Sequence, residues 1–293
     1  MTIFAHSVGF GIVTASIIAL AAIAFSLQFS VTTTPNFAHG ELLTAGAYGA
    51  YVMQKVSANL LLDALGAVLF GGAVAMILNL AVIRPYRRIS SKRLTLFLVT
   101  VAASWIMQNI LLLIFGAAPT IYRLPTSSLH SVGPFLWTTI DEEIIISAVV
   151  ILALLHALLR YTKLGKSLRA VSDNPELARV TGIRYPLVLN VTWAMDGALA
   201  GFAGFVLALN IGALTPSLGF NFLVVVFAAA VIGGLGHPYG TLVGALVIGL
   251  AMGISSAYLP GQYSESIAFI LLIGALLVRP RGIFSAAEWN MAE

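Results

Sequence analysis

Nine apolar segments, at about residues 8–31, 37–57, 60–83, 94–116, 141–160, 186–209, 219–235, 238–258 and 262–279, fix the solvent of this chain. Most approach the roughly 20 residues that cross the hydrocarbon core of a bilayer. Charged residues are 9% of the 293, against roughly 25% in soluble domains, too few to cover a water-facing surface. In lipid, every backbone polar group must be paired within the chain, which leaves helices or a closed barrel. The runs are continuous rather than alternating, so helices are expected. The fold class is therefore an all-α integral membrane protein: a polytopic bundle of eight or nine spans in a single domain over 1–293. Segments 37–57 and 219–235 are Gly-rich and interrupted, and one or both are expected to be broken or re-entrant. The opening MTIFAHSVGFGIVTASIIALAAIAF lacks a basic leader and reads as a retained first span.

Charge placement sets the orientation. Thirteen of the fifteen basic residues fall in RPYRRISSKR, in RYTKLGKSLRAVSDNPELARVTGIR and in the tail RPRG; Lys55 and Arg123 remain for the other side. Basic loops stay cytoplasmic, so these three segments and the C-terminus are expected inside. The loop 117–140 and the trio Asp141, Glu142 and Glu143 are then expected outside. The net charge of +4 thus reflects membrane topology and calls for no nucleic acid. With no cysteine there is neither a disulfide framework nor a thiolate metal site. A weak echo links HGELLTAGAYGAYV (39–52) with YGTLVGALVIGLAM (239–252), as a parallel repeat of two halves would.

Between two spans lies SLRAVSDNPELARVTGIRY, polar and well punctuated. Asp173 and Glu176 have capping-box spacing, Pro175 suits the first helical turn, and Gly182 suits a C-cap with positive φ. A helix of about two turns, Pro175 to Thr181, is expected there, within a cytoplasmic loop of about 161–185, flanked by Arg169, Arg179 and Arg184. It is too short and polar to bind lipid well. A rigid knob for a cytoplasmic motor is the competing reading. That motor would be a separate subunit, because the chain has no G-x-x-x-x-G-K-[ST] phosphate loop.

The stretch TKLGKSLRAVSDNPELARVTGIRYPLVLNVTWAMDGALAGFAGFVLAL, with PNFAHGELLTAGAY upstream and VVVFAAAVIGGLGHPYGTLVGALVIGL downstream, resembles the permeases of high-affinity branched-chain amino acid ABC importers, the LivH-like family. The resemblance spans about residues 8–284. It implies an ATP-driven importer of the bacterial inner membrane. Its partners would be a second permease subunit, two cytoplasmic ATPases that use ATP and Mg, and an external substrate-binding protein. This chain itself would bind no cofactor. It also marks Arg169, Asp173, Pro175, Glu176, Arg179 and Gly182 as the coupling segment. The chain departs from the family pattern at Asp196, where a small residue is expected, and at His237-Pro238. A urea-carrying relative has a similar signature, so urea or short amides stand as an alternative substrate class.

Candidate pathway residues are Asn36, His39, Glu41, Gln108, Asn109, Asp196, Gly236 and His237. Asn36 and Glu41 are read either as a helix cap and first-turn acid or as parts of a discontinuous helix lining a pathway. Asp196 stands mid-span, where an ionisable group is a functional candidate by default; the alternative is an Asp satisfied by Asn190, Gln108 or Asn109. Gln108 and Asn109 are read first as interhelical hydrogen-bond partners, and His237 as a turn residue. His6, His130 and His156 show no supporting neighbours in sequence. No H-E-x-x-H, G-x-S-x-G or paired-acid arrangement is present, which argues against enzyme activity. A gradient-driven carrier using Asp196 is the rival from another class.

Overall fold

The computed structural model describes residues 2–57, 59–89, 92–122, 128–260, 263–279 and 282–284. Arg123 and Arg281, both used in the charge argument, lie outside them, as does the side chain of Arg88. The apolar segments are helices: α1 (Thr2–Thr32), α2 (His39–Val56), α3 (Leu60–Leu78), α5 (Arg93–Phe115), α6 (Thr139–Tyr161), α9 (Tyr185–Ile211), α10 (Leu218–Gly233), α11 (Pro238–Tyr258) and α12 (Ser264–Val278). Short polar helices α4 (Arg84–Ile89), α7 (Lys163–Asp173) and α8 (Pro175–Val180) gather at the end that holds the basic loops. Among the described residues, six helices, α1, α3 with α4, α5, α6, α9 and α11, are long and apolar enough to cross a membrane.

The centre of the bundle is α2. Its residues from His39 to Ala50 are all buried, between α3, α9 and α10. Such depth needs backbone-to-backbone approach, and Gly46 supplies it: a Cβ there would collide with the backbone of Gly201 on α9. In lipid, van der Waals fit between small residues takes the place of the hydrophobic drive.

Segments 37–57 and 219–235 are continuous helices rather than broken ones; the irregularity precedes each. After α1 the chain turns at Thr33, which has φ 53, and runs irregularly until α2 begins at His39. There His39 Nε2 meets the carbonyl of Ala21 at 3.1 Å. Ala21 lies eleven residues before the end of α1, about 16 Å along its axis, so α2 starts near mid-depth. The start of α10 meets it there, with Gly219 N–H donating to Thr44 Oγ1 at 2.9 Å. At 16 residues α10 is about 24 Å long, less than the bilayer core of roughly 30 Å. Between α3 and α4 the helix widens into a π turn, Asn79–Ile83, joined to α9 through Asn79 Nδ2 donating to Asn190 Oδ1 at 2.9 Å.

The opposite end carries structure that hydropathy does not report. Strands β2 (Leu129–Val132) and β3 (Phe135–Thr138) form an antiparallel hairpin with His130 opposite Trp137. Phe135 and Trp137 pack against Gly9 of α1. Strand β1 (Thr120–Ile121) pairs with β4 (Ala213–Leu214), tying the exits of α5 and α9 together. A capping box opens α6: Asp141 N–H donates to Thr138 Oγ1 at 3.2 Å, and Thr138 N–H to Asp141 Oδ2 at 2.8 Å. His130, unpartnered in sequence terms, is 2.8 Å from Glu142 Oε1, and His156 accepts or donates at 2.8 Å to Tyr239 Oη.

Candidate functional site

One set of buried polar residues forms a line from mid-depth to the basic end. At mid-depth, Asp196 and Ser104 each stand eleven residues from the basic end of their helices, level with Ala21. Asp196 is fully buried, and its Oδ1 lies 2.9 Å from His39 Nδ1. The sequence expectation of Asn190, Gln108 or Asn109 as partner is corrected. Asn190 is taken by Asn79. Asn109 stands exposed with its amide turned back to the carbonyl of Trp105 at 2.8 Å, and Gln108 is half-buried one residue before it. The partner comes from 157 positions away in the chain, which helix periodicity cannot reveal.

Glu41, two residues on from His39 in α2, faces α5. Its Oε1 accepts from Ser104 Oγ at 3.3 Å, while the fully buried Oε2 has no partner. Below it, towards the basic end, Thr100 Oγ1 accepts from Phe37 N–H at 3.2 Å. Asn36 serves the turn into α2 in two ways: its Oδ1 accepts from Ala38 N–H at 3.1 Å and its Nδ2 donates to Gln28 Oε1 at 3.1 Å. Thr100, Asn36 and Gln28 line a cavity of about 20 Å³ together with Thr32, Arg87 and Trp193, room for one water-sized group. Gln28 Nε2 and Trp193 Nε1 are buried donors without partners.

Arg87 leads out of the cavity. It donates to the carbonyl of Thr32 at 3.4 Å and to Tyr185 Oη at 3.0 Å. The guanidinium of Arg179, on α8, lies 4.3 Å from the centre of the same Tyr185 ring, a cation–π geometry. Thus α8 touches the interior line through one aromatic ring. Its cap differs from the expected one. Asp173 ends α7, and Asn174 caps α8, its Oδ1 accepting from Glu176 N–H at 3.1 Å and from Leu177 N–H at 2.9 Å. Asn tolerates the extended backbone between the helices, and its short side chain reaches both free N–H groups. Pro175 occupies the first turn and Gly182 has φ +87. Ala178 faces inward, whereas Leu177 and Val180 are 60% and 84% exposed. Arg169, Asp173 and Glu176 are exposed as well. Gly236 and His237 form the turn between α10 and α11, away from this line and beside Ser30.

Three comparisons bear on this geometry. Residues 7–276 match the model of a family described as branched-chain amino acid transport system / permease component. The chain belongs to this family. It is 31% identical to the high-affinity branched-chain amino acid transport system permease protein LivH of Escherichia coli (strain K12), over 95% of this chain and 94% of the relative. To BraD of Pseudomonas aeruginosa, a permease protein of the same description, it is 28% identical over 95% and 94%. A more distant relative is the ribose import permease protein RbsC of Escherichia coli (strain K12), 23% identical over 90% and 82%. No solved structure gives a significant match. Permease relatives of near-equal length and six membrane-length helices make the chain a multi-pass membrane transport subunit.

Proposed function

We propose that this permease is the membrane path of an ATP-driven importer for branched-chain or other hydrophobic amino acids, with α8 as its coupling helix. The observation that carries the reading is the Arg179–Tyr185–Arg87 line, which runs from an exposed two-turn helix to a small cavity between α1, α5 and α9. Two cytoplasmic ATPases using ATP and Mg, a second permease subunit and an external binding protein complete the assembly. Leu177 and Val180 dock into an ATPase, flanked by Arg169, Asp173 and Glu176 for register. Movement of α8 then displaces Tyr185 and Arg87 and reshapes the inner end of the path. The basic loops and the C-terminus face the cytoplasm of a bacterial cell. The chain crosses nine times in this reading, and the stretches that precede α2 and α10 are the non-helical parts of two crossings, lined by protein as irregular backbone must be.

The test is uptake of radiolabelled L-leucine by the reconstituted assembly, comparing wild type with Val180→Asp and Leu177→Asp. ATP-driven uptake is expected to fall at least about tenfold with the chain still inserted and folded, as when a buried apolar anchor of an interface is lost. Undiminished uptake in both variants sinks the docking role of α8. The buried His39–Asp196 pair favours the rival, a carrier driven by an ion gradient. Leucine accumulation in ATP-free vesicles under a proton or sodium gradient would select it, and urea uptake by the ATP-driven system would select the amide alternative.

A further inference from the structure

The segment that follows α3 gathers cations and no acid. Arg84, Arg87, Arg88, Lys92 and Arg93 stand close together in sequence, and the chain has no Asp or Glu between Asp63 and Asp141. Arg87 gives its hydrogen bonds to neutral oxygens, the Thr32 carbonyl and Tyr185 Oη. Arg84 is exposed, and among the described residues no carboxylate lies within ion-pair distance of it. It lines a groove of about 490 Å³ together with Leu80, Pro85 and Ile89. That volume falls within the roughly 300–1,000 Å³ of ligand pockets. The wall sets one guanidinium among three apolar side chains.

Depth decides what fills such a groove. From its cap at Asn59, α3 has run about 30 Å when the chain reaches Leu80, the thickness of the hydrocarbon core. Arg84 follows about one turn on, roughly 6 Å further out, at the level of the head groups. The π turn joins the two levels. Arg84 N–H reaches back five residues to the Asn79 carbonyl, and Asn79 is tied to Asn190 of α9, so the groove stands on a fixed part of the bundle. Leu80 and Ile89 are 42% and 80% exposed, which leaves the apolar wall open to lipid.

We propose that this groove binds an anionic phospholipid, with the phosphate on the Arg84 guanidinium, an acyl chain leaving along Leu80, and Pro85 and Ile89 forming the outer rim. A guanidinium takes a phosphate through two parallel charge-assisted bonds. A choline lipid brings its own cation beside the phosphate and competes with Arg84; a glycerol head group does not. Basic pockets at the membrane surface select anionic lipids on this principle. The site needs only the membrane position of the chain and stands apart from the importer reading. It also bears on that reading, because α4 carries Arg87, and a lipid held at Arg84 fastens the residue that links Tyr185 to the interior.

The experiment is native mass spectrometry of the purified full chain in mild detergent, titrated with dioleoyl phosphatidylglycerol and with dioleoyl phosphatidylcholine, which share acyl chains and differ in head-group charge. The first equivalent of the anionic lipid is expected to bind at least roughly fivefold more tightly, the worth of one cation at a lipid surface. Arg84→Gln should abolish that preference, whereas Lys163→Gln and Lys166→Gln, on α7, should leave it in place. Leu80→Ala should weaken both lipids by a similar factor. The soluble head group alone, glycerophosphoglycerol, should not displace the lipid. Equal affinity of wild type for the two lipids overturns the site, and decides alone if a variant fails to fold. An equal loss in the α7 variants, which would mean diffuse attraction, overturns it as well, as does displacement by the free head group. If the preference disappears once ATPase subunits are bound, a protein covers the groove in place of lipid, and the proposal falls.

Discussion

Helices α2 and α5 reverse the rule learned from soluble proteins. The shorter, α2, carries His39, Glu41 and Thr44 and is buried over its first twelve residues. The longer and more apolar, α5, has only 22% of its membrane-length window buried. Leu113 and Ile106 on α5 stand 85% and 61% exposed. In water the apolar helix would be the core. In a bilayer the lipid solvates Leu and Ile as well as protein does, so apolar content confers no reason to be inside. Polar side chains and glycine seams do. Between these two helices burial therefore follows polarity and small size, while α1 shows that an apolar helix is buried too when its neighbours surround it.

The comparison breaks most visibly at the α2–α9 seam. Gly46→Leu places a side chain where the backbone of Gly201 already stands. Overpacking usually costs about 1–3 kcal/mol, and a backbone contact cannot relax as a side chain does, so the yield of monodisperse protein on fluorescence size-exclusion should collapse. Next in size is the buried pair. Asp196→Leu alone strands His39 and should lower stability by roughly 3–5 kcal/mol, read as a drop in Tm in detergent. The His39→Leu, Asp196→Leu double variant should recover part of that, because residues in contact couple by roughly 0.5–3 kcal/mol. Additive losses would show that the 2.9 Å approach does no pairing.

Smaller still is the lipid-facing side of α5, where Leu113→Ala and Ile106→Ala should change Tm by no more than the effect of roughly 0.5 kcal/mol typical of surface sites. A large loss there would mean that another protein chain, not lipid, covers this face. The smallest effect lies outside the membrane, at His130. Its hydrogen bond to Glu142 raises the His130 pKa. A raised folded-state pKa gives stability that is full below the unfolded His range and fades as pH rises through the folded value. The Tm gap between wild type and Glu142→Gln should thus be measurable at about pH 5.5 and close by about pH 8.5.

Helix positions were legible because the signal that defines them, sustained apolarity, is local. All nine apolar segments became helices, with ends moved by a few residues. The turns of the α8 segment were legible for a similar reason: Pro175 and Gly182 act through their own backbones. The cap was misplaced because Asp173 and Asn174 are both good caps, and only the length of α7 decides between them. What sequence could not reveal is pairing across distance. His39 with Asp196, Asn79 with Asn190 and Arg87 with Tyr185 each join separate spans, and nothing local specifies a partner. The β2–β3 hairpin escaped notice because its four-residue strands sit in a loop that hydropathy treats as a gap.

The burial of α2 also bears on how the chain is made. A segment that opens with His39 and Glu41 near mid-depth partitions poorly from the translocon into lipid by itself, because each ionisable group adds a few kcal/mol there. Its neighbours in sequence, α1 and α3 with α4, are long and apolar enough to span by themselves, but the partners that satisfy it, Ser104 on α5 and Asp196 on α9, are synthesised later. The set of contacts that satisfies α2 is therefore complete only once α9 has been made, whereas the Ala21 carbonyl that meets His39 precedes it in the chain.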